Sequence, residues 1–289
     1  MPAATLFSAL VDYAGLFPPA SLGMADAAAA YAADRAGRDA WILGRFVCPA
    51  ARLAELAAAA APHWAASESP WRVSALAPDP VTDFPHIRAF NAAHANHAIV
   101  DAVEGRASTT ADVDRFAGEL GDLEGFVEVP LDPDPGALIA DCARLGLKAK
   151  ARLGGVVADA IPRPELVARF LVRCHESGIA FKATAGLHHP IRGAYPLTYE
   201  PGASRATMHG FLNLLFATYV VLRGGDEVEA CAVLEDRDPQ AFALDRDAAR
   251  WRDHLVPVPQ ITRLRETMIG IGSCSFREPV ADLVALGVA

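Results

Sequence analysis

The chain has 289 residues, of which 52% are hydrophobic, and its formal net charge at pH 7 is −9. This size allows a large core, and the acidic balance without any Lys/Arg-rich run argues against a nucleic-acid partner. Scattered cysteines without a CxxC pair indicate neither a disulfide framework nor a zinc site, and no apolar run reaches membrane-spanning length, so we expect a cytoplasmic protein without a membrane partner.

Apolar segments of strand length alternate with Ala- and Leu-rich segments along the chain. The strand candidates lie, in order, within "ALVDYAGLFPPA", "WILGRFVCPA", "WRVSALAPDP", "HAIVDAVEGR", "GFVEVPLDPDP", "LKAKARLGG", "IAFKATAG" and "MIGIGSCSF". Helices are predicted at 24–35, with Ser21 as the cap, and at 52–61, 84–95, 111–120, 137–145 and 165–176. Strand–helix alternation at this spacing favours parallel strands joined by crossover helices, and eight such units predict an α/β fold, a single (β/α)8 TIM-barrel domain over residues 1–289. Whether the first segment is a barrel strand stays open.

The segment between the seventh and eighth strand candidates is long. We predict an insert at 190–258, with helices near 209–222 and 226–236 and a hairpin-like alternation around 247–249. A further helix is predicted near 259–268. Inserts of this size are typical of a lid or a contact between subunits, so we expect either a cover over the site or a homo-oligomer.

Charged and polar residues recur on one predicted face of four consecutive strand candidates. They are Glu104, Glu128, Lys150 with Arg152, and Lys182 with Thr184. Strand residues alternate between faces, so the apolar neighbours should pack on the helices and the charged face should point into the barrel. Buried charges are costly unless paired. We therefore predict one interior cluster near the C-terminal strand ends, serving either as an active site or as a structural ion-pair network.

Lysine is scarce in this chain. Of the 26 Lys and Arg residues, only Lys148, Lys150 and Lys182 are lysines. Arginine can neither lose its proton in a protein nor form an imine, so the retained lysines indicate positions where arginine cannot serve. Lys150 and Lys182 should stand on adjacent strands. Desolvation and a second ammonium group are expected to lower the pKa of Lys182 and make a neutral amine available.

The segment "KATAG" at 182–186 resembles the Lys-Thr-Ser-Thr-Gly strand of the deoxyribose-phosphate aldolases, TIM-barrel enzymes whose lysine there forms a Schiff base. The resemblance covers about five residues and implies that Lys182 forms an imine, without a cofactor. That family carries another lysine on the next strand, whereas here Lys150 precedes Lys182.

The residues after the seventh strand candidate allow a second chemistry. His188 and His189 enter a loop there, and His188 could join Glu104 and Glu128 around a divalent metal, as in metal-dependent sugar isomerases. The ligand spacing is not specific for a metal. A histidine that contacts substrate is the alternative interpretation.

The last strand candidate ends in "GSCSF", followed by a helix near Glu278. The hydroxyl groups of Ser273 and Ser275 could hold an anion at this helix start, whereas Cys274 alternates to the other face and is expected to pack in the core. Guanidinium groups suit carboxylate and phosphate ligands, so we expect Arg45 and Arg152 to bind the substrate.

These patterns predict an enzyme, a carbon–carbon lyase or an isomerase, acting on a small anionic carbonyl compound. In the first hypothesis Lys182 forms an imine, Lys150 adjusts its pKa, and Glu104 or Glu128 moves protons. The expected substrate contacts are Arg45, Arg152, Thr184, His188, His189, Ser273 and Ser275. The alternatives are a metal-dependent isomerase or epimerase using Glu104, Glu128 and His188, and a non-catalytic barrel that binds a ligand or partner.

Overall fold

The computed structural model describes residues 2–67, 69–244 and 248–287. Its central feature is a closed barrel of eight parallel strands. The strands are β1 (Val11–Tyr13), β2 (Leu43–Pro49), β3 (Trp71–Leu76), β4 (Ala98–Arg106), β5 (Glu124–Glu128), β6 (Lys148–Arg152), β7 (Phe181–Thr184) and β13 (Met268–Ser273). They follow chain order around the barrel, and β13 pairs with both β7 and β1. The predicted (β/α)8 TIM barrel is confirmed, and the N-terminal segment supplies its first strand.

Helices alternate with the strands. They are α1 (Pro2–Phe7), α2 (Met24–Arg35), α3 (Leu53–Trp64), α4 (Pro80–His94), α5 (Thr110–Leu120), α6 (Gly136–Arg144), α7 (Pro164–Glu176), α8 (Phe211–Leu222), α9 (Glu227–Glu235), α10 (Val258–Thr267) and α11 (Arg277–Ala285). The predicted cap of α2 is wrong: the N-cap is Gly23, without a side-chain hydrogen bond. The backbone N–H of Ser21 instead donates to the carbonyl of Phe17, so Ser21 belongs to the preceding turn.

Aromatic contacts fix which strand residues face outward. Phe181 of β7 meets Phe170 of α7 edge to face, with ring centroids 5.3 Å apart. Trp71 of β3 meets Tyr31 of α2 in the same way, at 4.9 Å. Since successive strand residues alternate between faces, an outward Phe181 places Lys182 inside the barrel.

The insert between β7 and β13 contains two small antiparallel sheets. One is a hairpin of β8 (Gly193–Pro196) and β9 (Arg205–Met208). The other has three strands, β10 (Phe242–Leu244), β11 (Ala248–Trp251) and β12 (His254–Pro257). The hairpin predicted in this segment is present as the antiparallel pair β10 and β11, but β12 extends it, and Ala248 and Ala249 lie within β11. Residue 247 lies outside the described residues.

Helix α8 anchors the insert to the helical layer of the barrel. Its residues 211–221 are all buried, in contact with α7, α9 and α10, which explains why the segment is apolar on every face. Over the described ranges, no helix is long and apolar enough to cross a membrane.

His209, just before α8, is buried and neutral in the fold. Its Nε2 lies 2.8 Å from the carbonyl of Pro162, and its Nδ1 lies 3.2 Å from a guanidinium nitrogen of Arg192. Burial lowers the pKa of His209, the hydrogen bond with Pro162 raises it and Arg192 lowers it, and the net shift is from 6.5 to about 4. Between pH 6.5 and about pH 4, His209 therefore binds a proton in the unfolded chain but not in the folded one. The free energy of unfolding decreases as the pH falls through this range.

We expect the free energy of unfolding to fall by about 2–3 kcal/mol between pH 6.5 and pH 4.5 through His209 alone. In His209→Gln this slope should disappear, measured as urea denaturation midpoints across the range. His86→Gln, at an exposed position of α4, is the matched control and should keep the wild-type slope. An unchanged slope in His209→Gln would contradict the prediction.

Candidate active site

Five ionisable side chains from five strands meet inside the barrel. This interior cluster consists of Asp12, Glu104, Glu128, Lys150 and Lys182, all of them buried. In the strand register Lys150 lies opposite both Glu128 and Lys182. The predicted convergence of Glu104, Glu128, Lys150 and Lys182 is therefore seen, and four of the contributing strands, β4 to β7, are consecutive.

Lys182 is the most deeply enclosed member of the interior cluster, with 1% of its surface exposed. Its Nζ lies 2.5 Å from Asp12 Oδ2 and 2.7 Å from Glu104 Oε1, above the Phe126 ring at 5.2 Å from the centroid. Burial lowers the pKa of Lys182, but Asp12 and Glu104 outweigh burial, and the net shift is upward. The predicted lowering of this pKa is therefore wrong.

Glu104 is the link between the two lysines. Its Oε1 accepts hydrogen bonds from Lys182 Nζ and from Ser74 Oγ, each at 2.7 Å, and its Oε2 lies 2.7 Å from Lys150 Nζ. Burial raises the pKa of Glu104, but both lysines outweigh it and hold the pKa well below the usual value. A carboxylate thus lies between the two ammonium groups, which is why Lys150 does not lower the pKa of Lys182.

Glu128 joins the interior cluster to the carboxyl end of the strands. Its oxygens lie 3.0 Å from Lys150 Nζ, 2.8 Å from an Arg106 nitrogen and 3.2 Å from Arg152 Nε. Burial raises the pKa of Glu128, but Lys150 and Arg152 together lower it below the usual value. The side chain of Arg152 is 48% exposed, so it can still meet a ligand.

A cavity of about 250 Å³ opens at this end of the barrel, and we call it the mouth cavity. Its polar lining comes from Glu104, Lys150, Arg152, Thr184, His188 and Cys274, and its apolar lining includes Phe17, Val47, Leu76 and Val156. Thr184 Oγ1 is buried and has no hydrogen-bond partner among the described residues. A buried hydroxyl without a partner is costly, so a ligand that bonds to it would be favoured.

His188 and Cys274 line the mouth cavity side by side. Cys274 Sγ lies 3.9 Å from His188 Nδ1, which is also 3.3 Å from Glu278 Oε2. Burial lowers the pKa of His188, but Cys274 and Glu278 outweigh it and raise the pKa to about 9. Cys274 is buried, as expected, but it also lines the mouth cavity, because the strand ends at Ser273 and the face alternation ends with it.

The other residues predicted near the mouth have partners within the chain. His189 Nδ1 lies 2.7 Å from Asp282, and its ring stacks on Tyr195. Ser273 Oγ donates to the carbonyl of Ser275, and Ser275 Oγ accepts the backbone N–H of Glu278 at the start of α11. These contacts do not favour the predicted anion site at Ser273 and Ser275, or a substrate contact through His189.

Arg45 lies toward the opposite end of the barrel. Its guanidinium nitrogens lie 2.7 Å from Asp101 and 2.6 Å from Glu124, and it lines a separate cavity of about 280 Å³ with Arg72 and Arg265. The prediction that Arg45 binds substrate beside Arg152 is therefore wrong, because Arg45 comes early in β2, well before the strand reaches the mouth.

The alternative metal site is not assembled. Over residues 2–67, 69–244 and 248–287, no three His, Cys, Asp or Glu side chains come together in an arrangement that could hold a metal ion. Glu104 and Glu128 are instead bridged by Lys150, and His188 faces Cys274 and Glu278.

Sequence reasoning missed Asp12 and Tyr199. Asp12 lies 170 positions from its partner Lys182 and stands in a strand of three residues. A single acidic residue between Val11 and Tyr13 was the available signal. Tyr199 lies between β8 and β9, and its hydroxyl is 3.5 Å from Cys274 Sγ and 3.1 Å from Glu278. Nothing in the local sequence marks Tyr199.

No protein-family model matches the chain, and neither does any curated protein. One similar solved structure is the lysine/ornithine decarboxylase from Vibrio vulnificus complexed with cadaverine, at 10% sequence identity and a TM-score of 0.38. The similarity covers 63% of this chain and 48% of the decarboxylase, so this chain spans about half the length of that protein. A likeness this weak carries no argument about activity.

Proposed function

We propose that this protein is a carbon–carbon lyase of the aldolase type, which acts on a small anionic carbonyl compound through a lysine imine. The observation that carries the proposal is the setting of Lys150. Its side chain lines the mouth cavity, with the carboxylates of Glu104 and Glu128 at 2.7 and 3.0 Å and Arg152 beside it. An amine, proton acceptors and a cation for the substrate thus share one small space.

The geometry favours Lys150, rather than Lys182, as the imine-forming residue. Lys182 is enclosed between Asp12 and Glu104, and the upward shift of its pKa keeps it protonated. Its role in this proposal is to fix Glu104. Lys150 must lose a proton before it attacks a carbonyl carbon, and Glu104 and Glu128 are the carboxylates within reach of its ammonium group, at 2.7 and 3.0 Å.

The remaining steps follow from imine chemistry. Water leaves the carbinolamine, and the protonated imine accepts the electron pair of the carbon–carbon bond that breaks. One carboxylate takes the proton of the substrate hydroxyl as the new carbonyl forms and returns it to the carbon of the resulting enamine. Water then hydrolyses the imine, which releases the second product and restores the Lys150 amine. Arg152 and Thr184 Oγ1 would hold the anionic end of the substrate. A cavity of about 250 Å³ limits the substrate to roughly ten non-hydrogen atoms.

Borohydride trapping tests this proposal. The protein is reduced in the presence of pyruvate, glyoxylate or glycolaldehyde, and peptide mass spectrometry locates the reduced adduct. Because the chain has three lysines, peptide mass spectrometry can measure adduct formation at each of them separately. We expect the adduct on Lys150 and none on Lys148, which is paired with Glu124 at the other end of the barrel. An adduct on Lys182 would make Lys182 the imine-forming residue. The absence of an adduct with all three compounds would contradict the imine mechanism.

A further inference from the structure

We propose that Cys274 and His188 form a thiolate–imidazolium pair, a second nucleophilic site of the mouth cavity that adds reversibly to small aldehydes. This site goes beyond the proposed function and does not depend on the lysine imine. Cys274 is 5% exposed, and its side chain lines the mouth cavity.

Groups from several elements surround the sulfur atom. His188 follows β7, and its Nδ1 and Nε2 lie 3.9 and 4.0 Å from Cys274 Sγ. Tyr199, from the β8–β9 hairpin, places its hydroxyl 3.5 Å from the sulfur. Glu278 of α11 contacts both His188 and Tyr199, at 3.3 and 3.1 Å, and so fixes the imidazole beside the thiol.

The groups around the sulfur make the Cys274 thiol more acidic than burial alone would. Burial raises the pKa of Cys274, but the charge and hydrogen bond of His188, the Tyr199 hydroxyl and the backbone N–H of Ala20 together lower it. In Cys48, Cys142 and Cys174, by contrast, burial raises the pKa of the thiol. Tyr13 of β1 is a further titratable neighbour, and its raised pKa keeps it neutral.

The addition needs no further reactant. The Cys274 thiolate forms a bond to the aldehyde carbon, the carbonyl electron pair moves to oxygen, and that oxygen takes the proton of the His188 imidazolium. The product is a neutral hemithioacetal, and the reverse steps release the aldehyde. Lys150, Arg152 and Thr184 Oγ1 line the same cavity, and the Thr184 hydroxyl has no hydrogen-bond partner within the described part of the chain. An aldehyde that carries a carboxylate is therefore the favoured class.

Iodoacetamide labelling at limiting reagent tests the thiolate, with each cysteine quantified by peptide mass spectrometry. Cys231 is the matched control, because it is more exposed than Cys274 while its pKa is raised, burial being the largest cause. If exposure to solvent alone sets the labelling rate, Cys231 reacts faster than Cys274. We expect Cys274 to react at least about tenfold faster than Cys231 near neutral pH, since the thiolate is the nucleophile. His188→Gln should remove this advantage. Equal or slower labelling of Cys274 would overturn the proposal.

Carbon-13 NMR with glyoxylate labelled at the aldehyde carbon tests the adduct. We expect a hemithioacetal signal that disappears in Cys274→Ser and persists in Lys150→Arg, which cannot form an imine. A signal that survives in Cys274→Ser, or no signal at all, would overturn aldehyde capture. Loss of the signal in Lys150→Arg alone would assign it to the lysine instead, so the two proposals can fail separately.

Discussion

Lys182→Met should lower the free energy of unfolding by about 3–5 kcal/mol, because it leaves two carboxylates in the barrel interior without their shared cation. Asp12 and Glu104 are almost fully buried and lie 2.5 and 2.7 Å from the Lys182 ammonium. Removing one partner of a buried pair costs more than the pair itself contributes, since the desolvation of the remaining charges is no longer offset. Urea denaturation at neutral pH, followed by circular dichroism, measures the loss.

Lys148→Met is the matched control for this loss. Lys148 is also a strand lysine paired with a carboxylate, Glu124, but its side chain is 30% exposed. Water screens such a pair, so we expect a change of about 1 kcal/mol or less. The double variant Lys182→Met with Asp12→Leu should recover part of the loss, because it removes one stranded charge. Equal losses in Lys182→Met and Lys148→Met would show that burial of the interior cluster does not decide its energetics.

The barrel was predictable because its signal is repeated many times. Each strand–helix unit carries the same change from an apolar run to a helical pattern, and α2 even has its predicted bounds at 24–35. The insert was less predictable because it follows no repeat. Its three-stranded sheet, β10 to β12, consists of strands of three or four residues, too short for an alternation pattern to resolve.

Four of the five members of the interior cluster were predictable, but Asp12 and the electrostatics of the cluster were not. Alternation along β4 to β7 is a local property, so it placed Glu104, Glu128, Lys150 and Lys182 on the inner face. The sign of the pKa shift of Lys182 depends on Asp12, which no local pattern connects to it across 170 positions. Face alternation does not tell which end of the barrel a strand residue meets, because that depends on its position along the strand. Arg45 points into the barrel, but it lies at the end opposite the mouth cavity.

Lys150→Arg should abolish borohydride trapping while leaving the fold nearly as stable as the wild type. Arginine keeps the positive charge and can bond to both Glu104 and Glu128, which now flank Lys150 at 2.7 and 3.0 Å. The mouth cavity beside Lys150 leaves space for the larger guanidinium group. Because a guanidinium group cannot form an imine, we expect adduct formation to fall by a factor of about 1,000 or more, with a stability change near 1 kcal/mol.

Lys150→Met separates this role from a structural one. It removes the charge as well as the amine, so we expect it to lose both the adduct and about 3 kcal/mol of stability. If the interior cluster were only an ion-pair network, Lys150→Arg would restore every property that Lys150→Met loses. An arginine variant that is stable and untrappable is therefore the result that distinguishes a nucleophile from a structural cation, because arginine supplies the charge and only lysine supplies the amine.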